Sequence, residues 1–200
     1  MYKVLCVDDD DRLVEVLSDM LQYSNYDARA VTSGAMCLEL LNSGYRPDII
    51  LLDIMMFPMD GWETLRRIRN DKQLFYLPIL MLTGKFPTMT EVEEYGTLFD
   101  GYLMKPFALE SLSNEINNLM NLVKIREDII CRARIMCVDD NMLNEYRRLS
   151  SISRVLKKLE KIINNGSFTR DSFYNKIKRL KTIEKRLSEC GILPPSNSEA

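Results

Sequence analysis

The sequence predicts an α/β fold for residues 1–122, in which helices cover both faces of a parallel β-sheet, followed by a helical C-terminal segment. Five short apolar runs alternate with segments of helical periodicity, and polar residues, Gly or Pro separate them. Because strands joined through a crossover helix run parallel, the helices must lie on both faces of the sheet. The predicted strands are residues 3–7, 27–31, 48–52, 78–82 and 101–104.

The segments between these strands carry apolar residues at helical spacing. The fifth helical stripe runs from Leu109 to Val123. The fourth, around residues 88–96, is only weakly apolar, so we expect its helix to be the most mobile. In the first helix, one apolar stripe is formed by Leu13, Val14, Leu17, Met20 and Leu21.

Beyond residue 123 the pattern predicts a helical hairpin. The first stripe comprises Leu149, Ile152, Leu156, Leu159 and Ile163, residues 164–167 interrupt it, and a second stripe runs from Phe173 to Leu187. The predicted organisation is therefore an α/β domain over 1–122, an extended helix or linker over 123–141, a basic helical hairpin over 142–191 and a disordered tail over 192–200.

Composition excludes several classes of site. Histidine is absent, which removes His general bases, Ser-His and Cys-His nucleophile pairs and His-ligated zinc. The five cysteines include no Cys-x-x-Cys, so neither a disulfide framework nor a zinc ribbon is predicted. The N-terminus shows no signal-peptide pattern, and no apolar stretch approaches the roughly 20 residues that span a bilayer. We expect a soluble cytoplasmic protein without a membrane partner.

A single carboxylate, Asp53, ends the apolar run of residues 49–52. Open parallel sheets place their chemistry at the C-terminal edge of the strands. The same edge should hold Asp8 and Asp9, which follow the first strand, and Lys105, which follows the fifth. The sequence therefore predicts that acids, a candidate nucleophile and a lysine converge.

Acids gathered at one edge repel each other, by roughly 4 kcal/mol for two unit charges about 4 Å apart at an effective dielectric near 20. A hard dication bound through oxygen atoms would compensate, and Mg²⁺ is usually held by one or two carboxylates with waters. The predicted ligands are Asp9, Asp53 and the Met55 backbone carbonyl, with Asp8 acting through water. Lys105 would supply a fixed positive charge on the other side.

Such a site can transfer a phosphoryl group to a carboxylate, because cation and lysine neutralise the charge that develops while Asp53 attacks in line. The product would be an aspartyl phosphate. A small hydroxyl should accompany the arriving phosphate, and Thr83 ends the fourth strand at the same edge. Gly84, which follows it, would let the backbone approach the phosphate.

Five segments occur in an order and spacing that resemble the receiver domain of two-component response regulators. They are residues 7–9, 51–56, 59–61, 82–84 and 101–107, with the sequences Val-Asp-Asp, Leu-Leu-Asp-Ile-Met-Met, Met-Asp-Gly, Leu-Thr-Gly and Gly-Tyr-Leu-Met-Lys-Pro-Phe. The resemblance covers residues 1 to about 122. It implies a flavodoxin-like (βα)5 doubly wound parallel sheet with strand order 2-1-3-4-5.

The resemblance also implies roles for single residues. Asp53 would be the phosphoacceptor, Asp8 and Asp9 the metal-binding acids, and Lys105 the phosphate-binding lysine. The donor would be a sensor histidine kinase or a phosphotransfer protein. The chain would then be a phosphoaccepting signalling protein rather than an enzyme.

Two further positions, Thr83 and Tyr102, match the switch residues of the family. Through them, phosphorylation would bias an equilibrium between two arrangements of the face built by the fourth helix, the fifth strand and the fifth helix. In the same resemblance, Thr83, Gly84 and Lys105 would contact the phosphate.

Two departures from the family pattern concern the loop and the hydrolysis of the product. The proline that usually follows Asp-x-x-Met is displaced by one position in Phe57-Pro58, which leaves the geometry of this loop open. Met55 and Lys85 occupy the two positions that tune dephosphorylation in this family. Because methionine cannot orient an attacking water by strong hydrogen bonds, we hypothesise slow self-dephosphorylation.

Residues 134–141 repeat the pattern of residues 3–10, at an offset of 131 residues. No matching phosphoacceptor or Lys-Pro follows, and too few residues remain for four more strand-helix units. This copy is interpreted as a receiver remnant or a coincidence, with Asp139 and Asp140 non-catalytic.

The output segment is basic: residues 142–188 contain 13 Lys and Arg against 4 Asp and Glu. Its apolar stripes could pair with a protein partner or with a second copy, or its basic face could contact nucleic acid phosphates. The first hypothesis is favoured, since no helix-turn-helix signature is clear and few aromatics accompany the charges. A different class, a phosphate-ester hydrolase with an aspartyl intermediate, would usually carry a second Asp where this chain has Met55.

Overall fold

The computed structural model describes residues 1–85, 87–151, 155 and 171–194. Within these ranges, strands and helices alternate up to residue 104, and helices follow. In chain order the elements are β1 (Lys3–Val7), α1 (Asp11–Tyr23), β2 (Asp27–Val31), α2 (Gly34–Asn42), β3 (Ile49–Asp53), α3 (Gly61–Asn70), β4 (Ile79–Thr83), α4 (Met89–Tyr95), β5 (Gly101–Met104), α5 (Leu109–Ile135), α6 (Asp140–Leu149) and α7 (Asp171–Glu189).

The five strands form one parallel sheet in the order β2-β1-β3-β4-β5. The predicted fold class and strand order are confirmed, and each strand begins and ends within one residue of its predicted bounds. The chain order reverses direction between β1 and β3, which are direct neighbours. In open α/β sheets the crevice at such a reversal, at the carboxyl ends of the strands, is where ligands bind.

The central strands are buried on both faces. Every residue of β3 and of β4 is buried, including the terminal Asp53 and Thr83. A strand covered by helices on both sides needs a continuous apolar run rather than an alternating one, and these two strands supply it. Burial of four or five such side chains per strand, at about 1.5–3 kcal/mol each, holds the strand ends rigidly in place.

Helix α1 differs from the predicted stripe. Val14, Leu17 and Leu21 are buried, but Leu13 is 37% and Met20 44% exposed. A helix packed on a sheet buries an arc little wider than about 100°, so the residues that flank this arc remain in solvent. Packing in the core therefore does not explain why positions 13 and 20 are apolar.

Helix α5 continues beyond the predicted stripe as far as Ile135. The repeat of the opening motif does not form a strand: residues 134–138 end α5 and turn at Cys137, which has φ of 56°. Asp139 then caps α6 by accepting a hydrogen bond from the Met142 N–H at 2.9 Å. Its carboxylate is used at a helix N-terminus, which accords with the non-catalytic interpretation.

The predicted hairpin is described only in part. Leu143 and Tyr146 of α6 and Leu180, Ile183 and Leu187 of α7 are buried. Arg179 of α7 donates two hydrogen bonds, both of 2.8 Å, to the Glu145 carboxylate of α6. The predicted members Ile152, Leu156, Leu159 and Ile163, the interruption at 164–167 and the tail from residue 195 lie outside the described residues.

The chain divides into two compact units. The first comprises residues 1–88 and 98–120, and the second comprises residues 89–97 and those from 121 onward. Helix α4 therefore belongs, by its contacts, to the unit that contains α6 and α7. Among the described helices, none combines the length and the apolar character that crossing a bilayer requires.

One arginine joins the loops opposite the site edge of the sheet unit. Arg69 of α3 donates hydrogen bonds to the carbonyls of Phe75 and Leu77 at 3.1 and 2.8 Å, and to the Asp100 carboxylate at 3.1 Å. Asp100 also accepts the Ile79 N–H at 3.0 Å, at the start of β4. Because Arg69 and Asp100 are both largely buried, these contacts are poorly screened by solvent.

We expect Arg69→Met to lower the free energy of unfolding by about 3 kcal/mol, because it removes one side of a buried ion pair and exposes backbone carbonyls to an apolar side chain. Urea unfolding followed by circular dichroism measures this change. The matched control is Arg67→Met on the same helix, whose guanidinium pairs with Glu63 at the surface and should change stability by less than about 1 kcal/mol. Equal effects of the two substitutions would contradict the assignment.

Candidate functional site

Four neighbouring strands deliver the predicted residues to one edge of the sheet. Asp53 and Thr83 are the last residues of β3 and β4, Asp8 and Asp9 directly follow β1, and Lys105 directly follows β5. Since these strands are parallel and paired in register, their C-terminal ends lie side by side. The convergence that the sequence predicts is present in the structure.

Lys105 is the centre of this cluster. Its ammonium Nζ lies 2.5 Å from Asp8 Oδ2 and 2.7 Å from Asp53 Oδ1, and donates a hydrogen bond to each. Asp53 is 4% and Asp8 2% exposed. The Lys105 ammonium, which follows β5, thus holds the buried carboxylate that follows β1 and the one that ends β3.

Burial and the contact with Lys105 act on the pKa of Asp53 in opposite directions. Burial raises the pKa of Asp53, and the nearby Asp8 raises it further, while the hydrogen bond from Lys105 opposes both. Burial lowers the pKa of Lys105, but its hydrogen bonds with Asp53 and Asp8 outweigh this and leave the pKa raised. The charged form of the Lys105 ammonium is therefore stabilised, while burial still disfavours the charged form of Asp53.

A dication would supply that charge. Oxygen atoms of Asp8, Asp9 and Asp53 all lie within 4.8 Å of one another. With one ammonium against three carboxylates, two negative charges remain, which suits a hard divalent ion with oxygen ligands. The Met55 N–H donates to Asp53 Oδ2 at 3.0 Å, so the backbone of this residue lies beside the acids. The donor set fits the predicted Mg²⁺ site.

The loop after β3 is tied to the same cluster. The Phe57 N–H donates to Asp9 Oδ2 at 3.0 Å, and the Phe57-Pro58 bond is cis. The loop closes where the Gly61 N–H donates to the Ile54 carbonyl at 3.0 Å. A Cβ at Gly61 would lie 2.1 Å from the Asp53 carbonyl oxygen, so glycine allows α3 to start against the strand end. The sequence did not predict the geometry of the loop around Phe57-Pro58, and these contacts define it.

Thr83 and Tyr102 are both buried. The Thr83 hydroxyl donates to the Lys85 carbonyl and accepts from the Lys85 N–H at 3.2 Å. Burial, with a smaller contribution from Glu115, raises the pKa of Tyr102 to about 12. At Gly84 an added Cβ would meet nothing within 4 Å, so space is open beside this backbone.

Sequence reasoning missed that several apolar side chains on the loop after β3 and on α1 are exposed. Phe57 is 83% and Met55 62% exposed on the loop, and on α1 Leu13, Val16 and Met20 are exposed at spacings of three and four residues. The spacing was visible in the sequence, but it does not distinguish a buried stripe from an exposed one. Asp9 was predicted as a metal ligand, and its hydrogen bond to the Phe57 backbone was not foreseen.

Residues 4–117 match the family model of the response regulator receiver domain. The chain belongs to this family. Among curated proteins, this receiver resembles the response regulator MprA of Mycobacterium ulcerans, with 34% identity over 146 residues that make up 73% of this chain and 62% of that protein. It also resembles the DNA-binding dual master transcriptional regulator RpaA of Synechocystis, with 29% identity over 60% of this chain and 49% of that protein.

Solved receiver structures agree. The N-terminal domain of a response regulator receiver protein from Methanoculleus marisnigri is 44% identical, with a TM-score of 0.50, and the match covers 59% of this chain and 95% of that one. The chemotaxis response regulator CheY4 of Vibrio cholerae is 31% identical, with a TM-score of 0.54, over 60% and 98% of the two chains. The chain spans only about half to three fifths of the length of the curated relatives named above.

We expect Mg²⁺ to raise the thermal unfolding midpoint of this receiver, because the ion would bind the folded acid cluster and not the unfolded chain. At a Mg²⁺ concentration of 100 times its Kd, binding would add about 2.7 kcal/mol to the free energy of unfolding. Asp9→Asn should weaken the apparent Mg²⁺ affinity roughly tenfold or more, since it removes a ligand charge. Measuring the unfolding midpoint at increasing MgCl₂ concentrations gives both the rise in the parent and the apparent affinity of each variant. Asp11→Asn, in the first turn of α1, is the matched control and should respond like the parent. An unchanged midpoint in the parent would refute the metal site.

Proposed function

We propose that this receiver accepts a phosphoryl group on Asp53 from a sensor histidine kinase or a phosphotransfer protein. The observation that carries the proposal is the contact of the Lys105 ammonium with both Asp53 and Asp8 at the C-terminal edge of the sheet. One Asp53 oxygen would attack the phosphorus in line, and the O–P bond would form as the P–N bond to the donor's histidine breaks and the imidazole leaves. Lys105 would stay beside the transferred group and balance its charge. Raised by burial, the pKa of Asp53 makes its oxygen a stronger base than an exposed aspartate.

The proposed metal is Mg²⁺, held by Asp9, Asp53 and the Met55 carbonyl, with Asp8 acting through water. When bound, this ion would add positive charge next to the transferring phosphoryl oxygens. The two negative charges that Lys105 leaves uncompensated support a dication over a monovalent ion. Asp9 has a second task, because its hydrogen bond to the Phe57 N–H keeps the β3–α3 loop close to β1.

A protein donor fits the surroundings of Asp53. The carboxylate is buried, while Met55 and Phe57 on the loop after β3 and Leu13, Val16 and Met20 on α1 are exposed apolar side chains. Exposed apolar side chains of this kind are available for contact with a protein. These 200 residues contain no histidine, so a phosphohistidine donor would lie outside them.

The proposed switch residues are Thr83 and Tyr102. In the structure the Thr83 hydroxyl is engaged with both backbone polar groups of Lys85. A phosphoryl group on Asp53 would offer this hydroxyl a charged acceptor, which forms a stronger hydrogen bond than a backbone carbonyl. The backbone at Lys85, which leads toward α4, would then be released from its contact with Thr83.

The proposed output of the helical unit is a protein partner or a second copy of the chain. A second candidate, nucleic acid, is favoured by one observation: Lys178, Lys181 and Lys185 are exposed on α7 at spacings of three and four residues, as on one face of a helix. The relative RpaA is described as DNA-binding, but this chain matches only 49% of that protein. Duplex binding that weakens steeply with salt would favour this candidate.

Incubation of the full chain with acetyl phosphate and Mg²⁺ should place one phosphoryl group on Asp53, because this carboxylate contacts Lys105 and lies in the acid cluster. Peptide mapping by mass spectrometry identifies the modified residue, and light scattering compares the mass in solution before and after. Asp53→Asn should abolish labelling. Asp19→Asn, an exposed acid on α1, should label normally. Stoichiometric labelling that survives Asp53→Asn would refute the proposal, and doubling of the mass would favour the second copy as partner.

The phosphorylated form should persist, because Met55 cannot orient a water for attack on the phosphorus. Met55→Asn is expected to shorten the phosphoryl lifetime roughly tenfold, since positioned polar groups contribute at least that much to such steps. Met55 is 62% exposed, so the substitution leaves the core intact. Loss of the label after removal of the donor gives the rate, and Met55→Leu should retain the parent lifetime. An equal or longer lifetime in Met55→Asn would contradict the hypothesis.

A further inference from the structure

The C-terminal half of α5 carries an ordered set of exposed side chains. Ile125, Asp128, Arg132 and Ile135 follow one another at spacings of three, four and three residues, so they form a stripe along one side of the helix. All four are exposed, and the two isoleucines are 56% and 75% exposed. The stripe lies within the second compact unit, on a helix that is described over its whole length.

The core of this unit does not use the stripe. Arg126, Ile130 and Ala133 are buried, and they lie on the other side of α5. Within the described ranges of the chain, the side chains of Asp128 and Arg132 make no hydrogen bond or ion pair. The stripe therefore presents two large apolar side chains and two charges of opposite sign to a contact with another molecule.

The order of these residues makes the stripe complementary to itself. Ile125 and Ile135 lie five residues on either side of position 130, and Asp128 and Arg132 lie two residues on either side of it. When two copies of α5 pair in antiparallel directions about this position, each Ile125 faces Ile135 of the second copy. Each Asp128 then faces Arg132 of the second copy. Apolar groups thus meet apolar groups, and each carboxylate meets a guanidinium.

Other arrangements of two copies lack this match. A parallel pair in register would set Asp128 against Asp128 and Arg132 against Arg132, and like charges opposite each other are unfavourable. Shifting the antiparallel pair by one heptad would set Ile125 against Asp128 in one direction, or Arg132 against Ile135 in the other. Charge complementarity therefore favours a second copy as the occupant of this surface and defines the direction of the pair.

We propose that this stripe is an interface between two copies of the chain, which pair through α5 in antiparallel directions. The interface is isologous, so each ion pair and each isoleucine contact occurs twice. The pairing uses α5 rather than the predicted hairpin, and it does not depend on phosphoryl capture by Asp53.

Two further exposed residues, Lys124 and Cys131, lie on one flank of the stripe. Cys131 is one residue from the centre of the pair at position 130, so the thiols of the two copies would approach each other on one side of the interface. Lys124 lies toward the end of the pair. The position of Cys131 therefore gives the proposed direction a chemical test.

Sedimentation equilibrium on the full chain, with EDTA and without a phosphodonor, measures the dissociation constant of the dimer. We expect a reversible dimer with a Kd below about 1 mM. Asp128→Arg should raise this Kd at least about tenfold, because it replaces two ion pairs by two contacts between arginines. Arg132→Asp should have the same effect, because it sets carboxylates against each other. The matched control, Lys185→Asp, reverses an exposed charge on α7 and should leave the Kd within about twofold of the parent.

The two single variants are also complementary to each other. Asp128→Arg presents two arginines and Arg132→Asp presents two aspartates, so an equimolar mixture should form a heterodimer although neither variant pairs well with itself. The double variant that carries both reversals exchanges the two charges and should dimerise like the parent. Circular dichroism verifies that each variant keeps its helicity. Recovery of the dimer in the mixture could not arise from a failure of either variant to fold.

A short bismaleimide crosslinker tests the direction of the pair. The variant Cys137→Ser, Cys190→Ser keeps Cys131 as its exposed cysteine and should give a covalent dimer. The matched variant Cys131→Ser, Cys137→Ser keeps Cys190 instead and should give much less of it.

Two outcomes would overturn the proposal. One is a parent chain that stays monomeric at concentrations up to about 1 mM and gives no covalent dimer through Cys131. In that case the stripe would be left to a different protein. The other is a dimer whose Kd is unchanged by both Asp128→Arg and Arg132→Asp, because another surface would then hold the two copies together.

Discussion

The contact of one ammonium with two buried carboxylates is the constraint on which this receiver's site depends. Lys105 follows β5, Asp8 follows β1 and Asp53 ends β3, so the contact exists only when the parallel sheet has assembled in its observed order. Buried carboxylates without a partner are costly, and the sheet therefore tolerates acids at this edge because the lysine arrives with them. One ammonium against the three carboxylates of Asp8, Asp9 and Asp53 leaves two negative charges, and this excess is the reason for proposing a dication there.

The loop after β3 is fixed beside the acid cluster by backbone contacts. Asp9 holds the Phe57 backbone, Met55 donates its N–H to Asp53, and Gly61 lets α3 begin directly against the strand end. These contacts use backbone groups, so they constrain the loop whatever its exposed side chains are. The side chains of Met55 and Phe57 are then left exposed at the surface.

The helical unit contains a second concentration of charge, of opposite sign. Glu145 and Arg179 join α6 to α7, and Arg126 and Arg147 meet Glu127 on α5 and α6. These ion pairs join α6 to α7 and α5 to α6.

The sequence by itself determined the sheet and the residues at its edge. The sheet is predicted by continuous apolar runs that polar residues, Gly or Pro separate. The site residues are predicted by their positions at strand ends, as for Asp53, Thr83 and Lys105. All of these are local features of the sequence, and local features predict local structure. Strand order and the receiver family followed from the spacing of five motifs, which the structure and the family match confirm.

Tertiary structure alone decided which distant groups meet. The repeat at residues 134–138 resembles β1 in sequence, but in the structure it ends helix α5 and turns at Cys137. Leu13 and Met20 share the spacing of buried residues, yet the sheet covers only part of α1. The partner of Arg69, the double contact of Lys105 and the ion pair between Glu145 and Arg179 each depend on residues far apart in sequence. Their proximity is set by how whole helices and strands pack together. The residues next to each of them in the sequence therefore do not predict it.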